Sequence, residues 1–342
     1  MIRTFSLRDC LRLQRLSRHS IPLQLEYDLT QPQPPLWAAV GAPLPWHGTG
    51  AATYFLLPGD RQQLPPAFIQ AIKRPARPEA DITRIAPAHS EDPAVQDAWL
   101  RLLEHTVCEA GEHDIQRLYV CLSSDDPAVA TISAAGFAPY IQETLYRLPS
   151  PPALDEHHPD EWPNVRPQRE VDSFAIQRLH SRNTPQIVQQ AEGTLVNNGD
   201  ALSPLHLRTW WQPEHIEGFV YEEKGDVRAA AHIKRGSKGH WLRLYGGADA
   251  VEALEAVLKR SLQALAYYSQ RPIYCALRPY QSHLGPLLME HGFEPGPILT
   301  RFVKHTTSAV RKAATVKETA DATLPRLIPT EFGLEPPSRD TI

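Results

Sequence analysis

No apolar run in the sequence approaches the roughly 20 residues that a membrane-spanning helix needs. The first residues carry charges at Arg3, Arg8 and Asp9, where a secretory signal would be apolar. The four cysteines have no C-x-x-C spacing, so we predict buried, reduced thiols and no disulfide framework. A formal net charge of -4 provides no general basic field for nucleic acid. We therefore expect a cytoplasmic protein without a membrane partner, and the charge disfavours a nucleic-acid partner.

The histidines give no metal-binding pattern. His157 and His158 lie among carboxylates in a proline-rich stretch, where a solvated spacer is the simpler interpretation. His206 and His215 flank the pair Trp210-Trp211 without ligand spacing. We predict no metal site.

A pattern in Ile115–Arg147 returns near the end of the chain, at Arg271–Lys304. Each copy reads as a buried strand, a short helix, a Gly-Phe pair and further extended sequence. The pairs are Gly136-Phe137 and Gly292-Phe293. We expect each glycine to end its helix, because glycine adopts the left-handed backbone without strain.

The beginnings of two units match as well, at a constant offset along the chain. The segments Ile2-Arg3, Asp9 and Leu13–Leu16 correspond to Val165-Arg166, Asp172 and Ile176–Leu179. At 342 residues the chain is long enough for two domains. We predict an N-terminal domain at 1–148, a proline-rich acidic linker at 149–163, a C-terminal domain at 164–305 and a disordered tail at 306–342.

Both predicted domains have the same order of elements. Each reads as a strand, one or two helices, three antiparallel strands, a long helix, a strand, a short helix and two closing strands. Asp92 is the predicted cap of the long helix in the first domain. Asp249 and Glu252 form a predicted capping box at the long helix of the second.

This element order resembles the GNAT (Gcn5-related N-acetyltransferase) fold, over about 1–148 and 164–305. GNAT proteins often close with an N-x-x-A helix before the Gly-Phe pair, and tandem GNAT proteins are known. Asp125 and Ala128 stand at those Asn and Ala positions in the first half, and Gln281 and Leu284 in the second. The resemblance implies an α/β (α+β) class with two tandem GNAT-like domains, each a mixed, largely antiparallel sheet flanked by helices.

The resemblance also implies where acetyl-CoA or another acyl-CoA would bind. GNATs carry a glycine-rich R/Q-x-x-G-x-G/A loop whose amides, with the next helix N-terminus, receive the pyrophosphate. Residues 86–93 of the first half contain no glycine, two prolines and the carboxylates of Glu91 and Asp92. The second half has the run Tyr245, Gly246, Gly247 and Ala248, which is the implied cofactor-binding segment. A tight turn with a capping box is the alternative interpretation of that run.

The catalytic groups usual in GNATs are not all present. The short-helix position from which a tyrosine often protonates the leaving thiolate holds Ile132 and Leu288. Glu79 and Asp81 stand near the start of the fourth strand of the first half, where a carboxylate often deprotonates the amine through water. Both residues have the alternative of simply facing solvent.

The second half offers two further candidate catalytic residues. Tyr245 ends its fourth strand, and Glu192 ends a helix in the region that borders the acceptor in GNAT proteins. Glu192 has the alternative of simply facing solvent.

Three functions are compatible with the sequence, and whether the chain is an enzyme is left open. The first is N-acetyltransferase-like acyl transfer to a small-molecule amine or a peptide, with at most one working site. The second is a catalytically inactive GNAT-fold protein that binds a ligand or partner. The third is a Fem-like aminoacyl transferase that uses charged tRNA.

Overall fold

A computed structural model describes residues 1–30, 33–42, 45–47, 50–57, 64–75, 77–151, 162–193, 216–268 and 270–306. Most of the predicted linker, the segment with His206, Trp210-Trp211 and His215, and the tail beyond residue 306 lie outside these residues.

The described part of the first half contains seven strands, five α-helices and one short 3-10 turn at Leu7–Asp9. The strands are β1 (Ile2–Thr4), β2 (Ile21–Pro22), β3 (Ala52–Leu56), β4 (Ala67–Lys73), β5 (Glu79–Ala86), β6 (Arg117–Ser123) and β7 (Ala138–Leu148). The helices are α1 (Cys10–Ser17), α2 (Leu25–Thr30), α3 (Pro35–Val40), α4 (Pro93–Glu112) and α5 (Ala128–Ala134).

The second half repeats this series in its described part. Its strands are β8 (Val165–Pro167), β9 (Ile216–Glu223), β10 (Asp226–Lys234), β11 (His240–Gly246), β12 (Ile273–Leu277) and β13 (Glu294–His305). Its helices are α6 (Ser173–Asn183), α7 (Gln186–Ala191), α8 (Val251–Ala266) and α9 (Leu284–Glu290). The repeated order and the mixed sheet confirm the predicted tandem α/β class.

The short helices end as the sequence predicts. Gly136 follows α5 with a φ of 80°, and Gly292 follows α9 with a φ of 82°. This left-handed backbone is strained for residues that carry a β-carbon, so glycine is the residue that suits both positions.

The last strand of each half crosses to the other half. The sheet runs β1-β3-β4-β5-β6-β13-β7-β12-β11-β10-β9-β8, with β2 paired to β5. Strand β13 therefore lies between β6 and β7, where Arg301 pairs with Cys121 on one side and Ile141 on the other. Strand β7 continues into the second half by pairing with β12. One sheet thus passes through both halves without a break, and the domain boundaries at 148 and 164 stay sequence predictions.

The two closing strands predicted for each half are wrong. Each half ends in one long strand, β7 of 11 residues and β13 of 12. Register shifts at Pro295/Ile298 and Arg301/Phe302 bend β13, so that it follows two neighbours instead of folding back on itself.

Helices cover both faces of the sheet. On β6, Leu118, Val120 and Leu122 belong to the core that packs under α4 and α5. The alternate residue Cys121 faces the other side, where it joins Leu145, Trp241 and Leu299 beneath α2. This central cluster draws residues from both halves, so the hydrophobic core does not divide at the repeat boundary.

Candidate functional site

Two equivalent crevices open where parallel strands separate. Strands β5 and β6 pair over Glu79–Asp81, and β11 and β12 pair over His240–Leu242. Each pair then diverges toward its carboxyl ends, and a long helix begins a few residues later. Crevices at the carboxyl ends of parallel strands are the common ligand sites of open α/β sheets.

The first crevice is closed by the chain itself. The Leu23 amide donates to Thr83 O of β5 at 2.9 Å, and Leu23 O accepts from the Cys121 amide of β6 at 2.9 Å. The Gln24 side chain donates to Tyr119 O at 3.2 Å. The main chain of Leu23 and the side chain of Gln24 therefore occupy the hydrogen-bonding groups that a ligand in this crevice would need.

The helix beside the first crevice is capped. Asp92 Oδ1 accepts from the Ala94 amide at 2.9 Å, as the sequence predicts, and Pro93 has no amide hydrogen to donate. A carboxylate thus takes the place that an anionic ligand would take at the N-terminus of α4.

The second crevice is bridged by one side chain. Gln281 Nε2 donates to Leu244 O on β11 at 3.1 Å, and Gln281 Oε1 accepts from the Arg278 amide that follows β12 at 3.3 Å. The segment Thr184-Pro185 is the repeat equivalent of Ile21-Pro22, but it forms no strand, and α7 begins at once with Gln186. The Gln281 side chain can rotate out of the second crevice, whereas strand β2 and the residues after it are fixed at the first crevice by pairing with β5.

The helix beside the second crevice has no side-chain cap. The predicted capping box of Asp249 and Glu252 is wrong, because a single helical turn at 248–250 moves the start of α8 to Val251. The Asp249 carboxylate instead lies 3.3 Å from Arg228 Nη2. The first-turn amides of α8 therefore donate no bond to an Asp249 side chain, in contrast to the capped amide of α4.

The two glycines of the predicted cofactor segment differ in what they do. A β-carbon on Gly246 would lie 2.8 Å from Leu254, so this glycine lets β11 approach α8. Gly247 has an ordinary φ of -93°, and a β-carbon there would meet the Asp249 carboxylate and, at 3.3 Å, Asn183 Oδ1. Gly247 therefore lies at the mouth of the crevice beside the end of α6.

Polar groups from three segments meet near this mouth. Tyr280 Oη accepts from Arg278 Nη1 at 2.9 Å and lies 3.5 Å from Thr184 Oγ1. The imidazole of His180 contacts the same threonine hydroxyl at 3.3 Å. Burial, and then repulsion by Arg278, lower the pKa of His180 to about 4, so the ring is neutral at pH 7.

Tyr245 ends β11 close to the mouth, but its ring is buried beneath α6. It packs edge-on against His232, with ring centroids 4.9 Å apart, and against His180 at 5.9 Å. Burial raises the pKa of Tyr245, so the hydroxyl stays protonated. His232 Nε2 lies 2.8 Å from Gln168 Oε1, and burial lowers the pKa of His232 to about 3.

Glu79 and Asp81 lie where β5 still pairs with β6, and Gln24 Nε2, which reaches into the first crevice, donates to Asp81 Oδ1 at 3.2 Å. They stand at the beginning of β5, and Glu79 is separated from the last residue of that strand by roughly 23 Å of extended chain. Glu79 is fully buried among Arg74, Arg77 and Arg117, and Arg74 also binds Asp81 at 2.7 Å. For Glu79 the solvent-facing alternative is wrong, and both carboxylates are held in ion pairs.

Glu192 is likewise held in an ion pair instead of facing solvent. Its carboxylate accepts from Arg278 Nη1 at 3.1 Å and Nη2 at 2.5 Å, and from Tyr140 Oη at 3.2 Å. Burial raises the pKa of Glu192, but the hydrogen bonds from Arg278 and the attraction to Arg278 and Arg301 together outweigh burial and lower it to about 2. Its role in receiving an acceptor amine stays a prediction.

The charged network around Arg278 has no local signal in the sequence. Glu143 of β7 lies 2.9 Å from Arg278 Nε and 2.7 Å from Arg301 Nε. Burial raises the pKa of Glu143, but the two arginines outweigh burial and lower it. These residues come from three distant segments, so spacing in the sequence does not reveal them.

Two further site types are absent from the described part of the chain. The described residues contain no group of three His, Cys, Asp or Glu side chains that could hold a metal ion. None of the described helices combines the length and apolar character needed to cross a membrane.

Comparisons with known proteins find similarity among solved structures. No family model matches the chain, and no curated protein matches it. A GCN5-related N-acetyltransferase from Sphaerobacter thermophilus is 12% identical with a TM-score of 0.48, over 90% of this chain and 95% of that one. A tandem GNAT protein from the clavulanic acid biosynthesis pathway is 12% identical with a TM-score of 0.45, over 90% and 98%. A putative acetyltransferase from Pyrococcus horikoshii is 12% identical with a TM-score of 0.48, over 89% of each chain.

Proposed function

We propose that the chain is a GNAT-like N-acyltransferase whose acyl-CoA site lies in the second half, at the mouth of the crevice between β11 and β12. The observation that carries the proposal is the difference between the two crevices. Residues 23–24 fill the first crevice and Asp92 caps its helix. The Gln281 side chain crosses the second, and α8 has no side-chain cap.

The second mouth fits the polar parts of an acyl-CoA. The uncapped amides at the start of α8, next to Gly247, suit a pyrophosphate, because a helix N-terminus favours negative charge. Gln281 joins Leu244 O to the Arg278 amide, so the crevice already accommodates one amide group between its strands. An amide of the ligand would make the same pair of bonds once Gln281 turns aside.

The residues at the mouth also suit acyl transfer to an amine. When bound, an acyl-CoA supplies the thioester whose carbonyl carbon the amine attacks. Holding both reactants in one crevice contributes much of the acceleration. Tyr280 places a hydroxyl at this mouth, where its oxygen accepts a hydrogen bond from Arg278. His180 is neutral there at pH 7, so one of its ring nitrogens can accept a hydrogen bond from an amine. The acceptor is a small-molecule amine or a peptide.

Calorimetry with CoA and acetyl-CoA tests the site through matched variants. Gly247→Val should weaken binding at least tenfold without unfolding the chain, because its β-carbon meets the exposed Asp249 side chain and not the core. Ser90→Val, at the corresponding place before α4, should leave the affinity unchanged. No binding at millimolar ligand, or equal loss in both variants, would contradict the proposal.

Turnover separates a transferase from a binding protein. Release of free thiol from acetyl-CoA in the presence of a panel of amines and peptides should depend on the amine. Binding without amine-dependent thiol release would support the inactive binding protein instead. The ligand-induced gain in thermal stability should follow occupancy, at about 2.7 kcal/mol for a hundredfold excess over Kd.

A further inference from the structure

Helix α1 and the 3-10 turn Leu7–Asp9 before it present an exposed surface that the proposed function does not use. We call it the α1 surface and define it by Leu7, Arg8, Leu11, Arg12, Arg15 and Arg18. Leu7 is 74% exposed and Leu11 is 71% exposed. The four arginines are exposed as well. Since Leu7 and Leu11 are four positions apart, they lie side by side along one edge of the arginine stripe.

The opposite side of α1 fixes this orientation. Leu13 is fully buried against Phe55 and Phe68 of the sheet. Asp9 accepts from the Ser6 amide at 3.0 Å and pairs with Arg3 at 2.5 Å, which anchors the start of the helix. Leu7 and Leu11 are therefore held in solvent by a helix whose other face is packed. Both leucines are surface residues and do not belong to the hydrophobic core.

The charge of this region is opposite to that of the chain. Residues 1–24 contain five arginines and one acidic residue, Asp9, whereas the whole chain has a net charge of -4. Asp9 is buried and is already bound to Arg3 and Arg12. No exposed carboxylate within residues 1–24 compensates Arg8, Arg15 and Arg18. The α1 surface is thus a local basic patch with two projecting leucines.

The equivalent helix of the second half provides a natural comparison. Phe174 is the repeat equivalent of Leu11 and is 72% exposed, and Val171 is 80% exposed. Exposed carboxylates accompany the arginines there, however: Glu170 lies in the turn before α6, and Arg178 pairs with Asp226. Exposed apolar residues occur on both helices, but the segment around α1 is the one that supplies arginines without exposed carboxylates of its own.

In place of the expected absence of a membrane partner, we propose that the α1 surface binds reversibly to an anionic phospholipid surface. Arginines attract anionic headgroups, and projecting aliphatic side chains enter the boundary between headgroups and acyl chains. Nucleic acid offers phosphates for the arginines but no partner for two leucines, because bases are bound by stacking and hydrogen bonding. Two leucines bury little apolar area, so the attachment is peripheral and depends on charge.

Sedimentation with vesicles tests this proposal on the full chain. The chain should bind phosphatidylcholine vesicles that contain about a third phosphatidylglycerol and should not bind pure phosphatidylcholine. Raising the salt from about 0.1 M to about 0.5 M should release it, because the Debye length shortens. The triple variant Arg8→Gln/Arg15→Gln/Arg18→Gln should bind roughly a hundredfold more weakly, at about fivefold per arginine.

Matched apolar variants distinguish a specific surface from general stickiness. Leu7→Ser/Leu11→Ser should weaken vesicle binding, and Val171→Ser/Phe174→Ser should not. Far-UV circular dichroism should show both double variants folded, because all four side chains are exposed. Equal loss in both, equal binding to neutral vesicles, or binding to single-stranded RNA but not to anionic vesicles would overturn the proposal.

Discussion

Glu143 is the residue whose loss should most weaken the join between the two halves. It lies on β7 of the first half and is 3% exposed, while its partners Arg278 and Arg301 belong to the second half. The substitution Glu143→Gln keeps the shape and removes the charge. Arg278 retains Glu192. Arg301, in contrast, loses the carboxylate that it pairs with among the described residues.

The expected loss of unfolding free energy is about 3 to 5 kcal/mol, the usual cost of removing one partner from a buried ion pair. Such a loss is a large part of the total stability of a typical folded protein, which is small. Urea unfolding followed by circular dichroism measures it, and with a slope of about 3 kcal/mol per M the midpoint should fall by more than about 1 M. The control Asp97→Asn breaks the exposed pair with Arg101 and should cost less than about 0.5 kcal/mol.

A second variant tests the cause of that loss. Glu143→Gln/Arg301→Gln removes both charges and should recover part of the stability, because no unpaired guanidinium remains at that position. A loss below about 1 kcal/mol in the single variant would refute the reasoning. So would a double variant whose loss is the simple sum of the two single losses.

The fold makes three further predictions. Between pH 6.5 and 3 the buried His232 stays neutral in the folded chain but is protonated in the unfolded chain, so the free energy of unfolding falls as the pH falls. The variant His232→Gln should reduce the slope of unfolding free energy against pH by about 1.4 kcal/mol per pH unit. Residues 1–148 alone lack β13 and should not fold by circular dichroism, whereas adding residues 149–306 should restore structure. Gly292→Ala should cost about 1 to 2 kcal/mol in urea unfolding through backbone strain, since the nearest atom to its β-carbon is Leu148 Cδ1 at 3.4 Å.

Local features of the fold were predictable because their causes are local. Gly136 and Gly292 mark helix ends through backbone conformation alone, and Asp92 caps α4 through a bond to a residue two positions away. The repeat offset then predicts the same order of elements in both halves. These signals require only a few neighbouring residues.

The crossing of β7 and β13 was not predictable from such signals. Both strands follow a Gly-Phe pair. The sequence pattern of either strand would allow it to pair with the edge of β6. The choice depends on partners such as Glu143 and Arg301, which lie in different halves of the chain. Tertiary packing fixes the register between distant strands, and local propensity or pattern does not.

The candidate site was predictable only in part. The pair Gly246-Gly247 marks the second mouth, but Ile21-Pro22 and Thr184-Pro185 look alike in sequence although only the first leads into a crevice. Asp249 has the spacing of a capping residue, yet the extra helical turn before Val251 turns it toward Arg228. Small differences in loop geometry thus decide that residues 23–24 enter the first crevice, whereas the Gln281 side chain bridges the second.

Amide hydrogen exchange with and without acetyl-CoA tests most directly the central claim that the second half carries the donor site. The structure predicts slower exchange in saturating ligand at residues 244–253 and 278–284, which form the second mouth. It predicts no change at residues 21–24 and 87–95, where the first crevice is filled and its helix is capped. Slower exchange confined to the first half, or no change in either half, would contradict the claim.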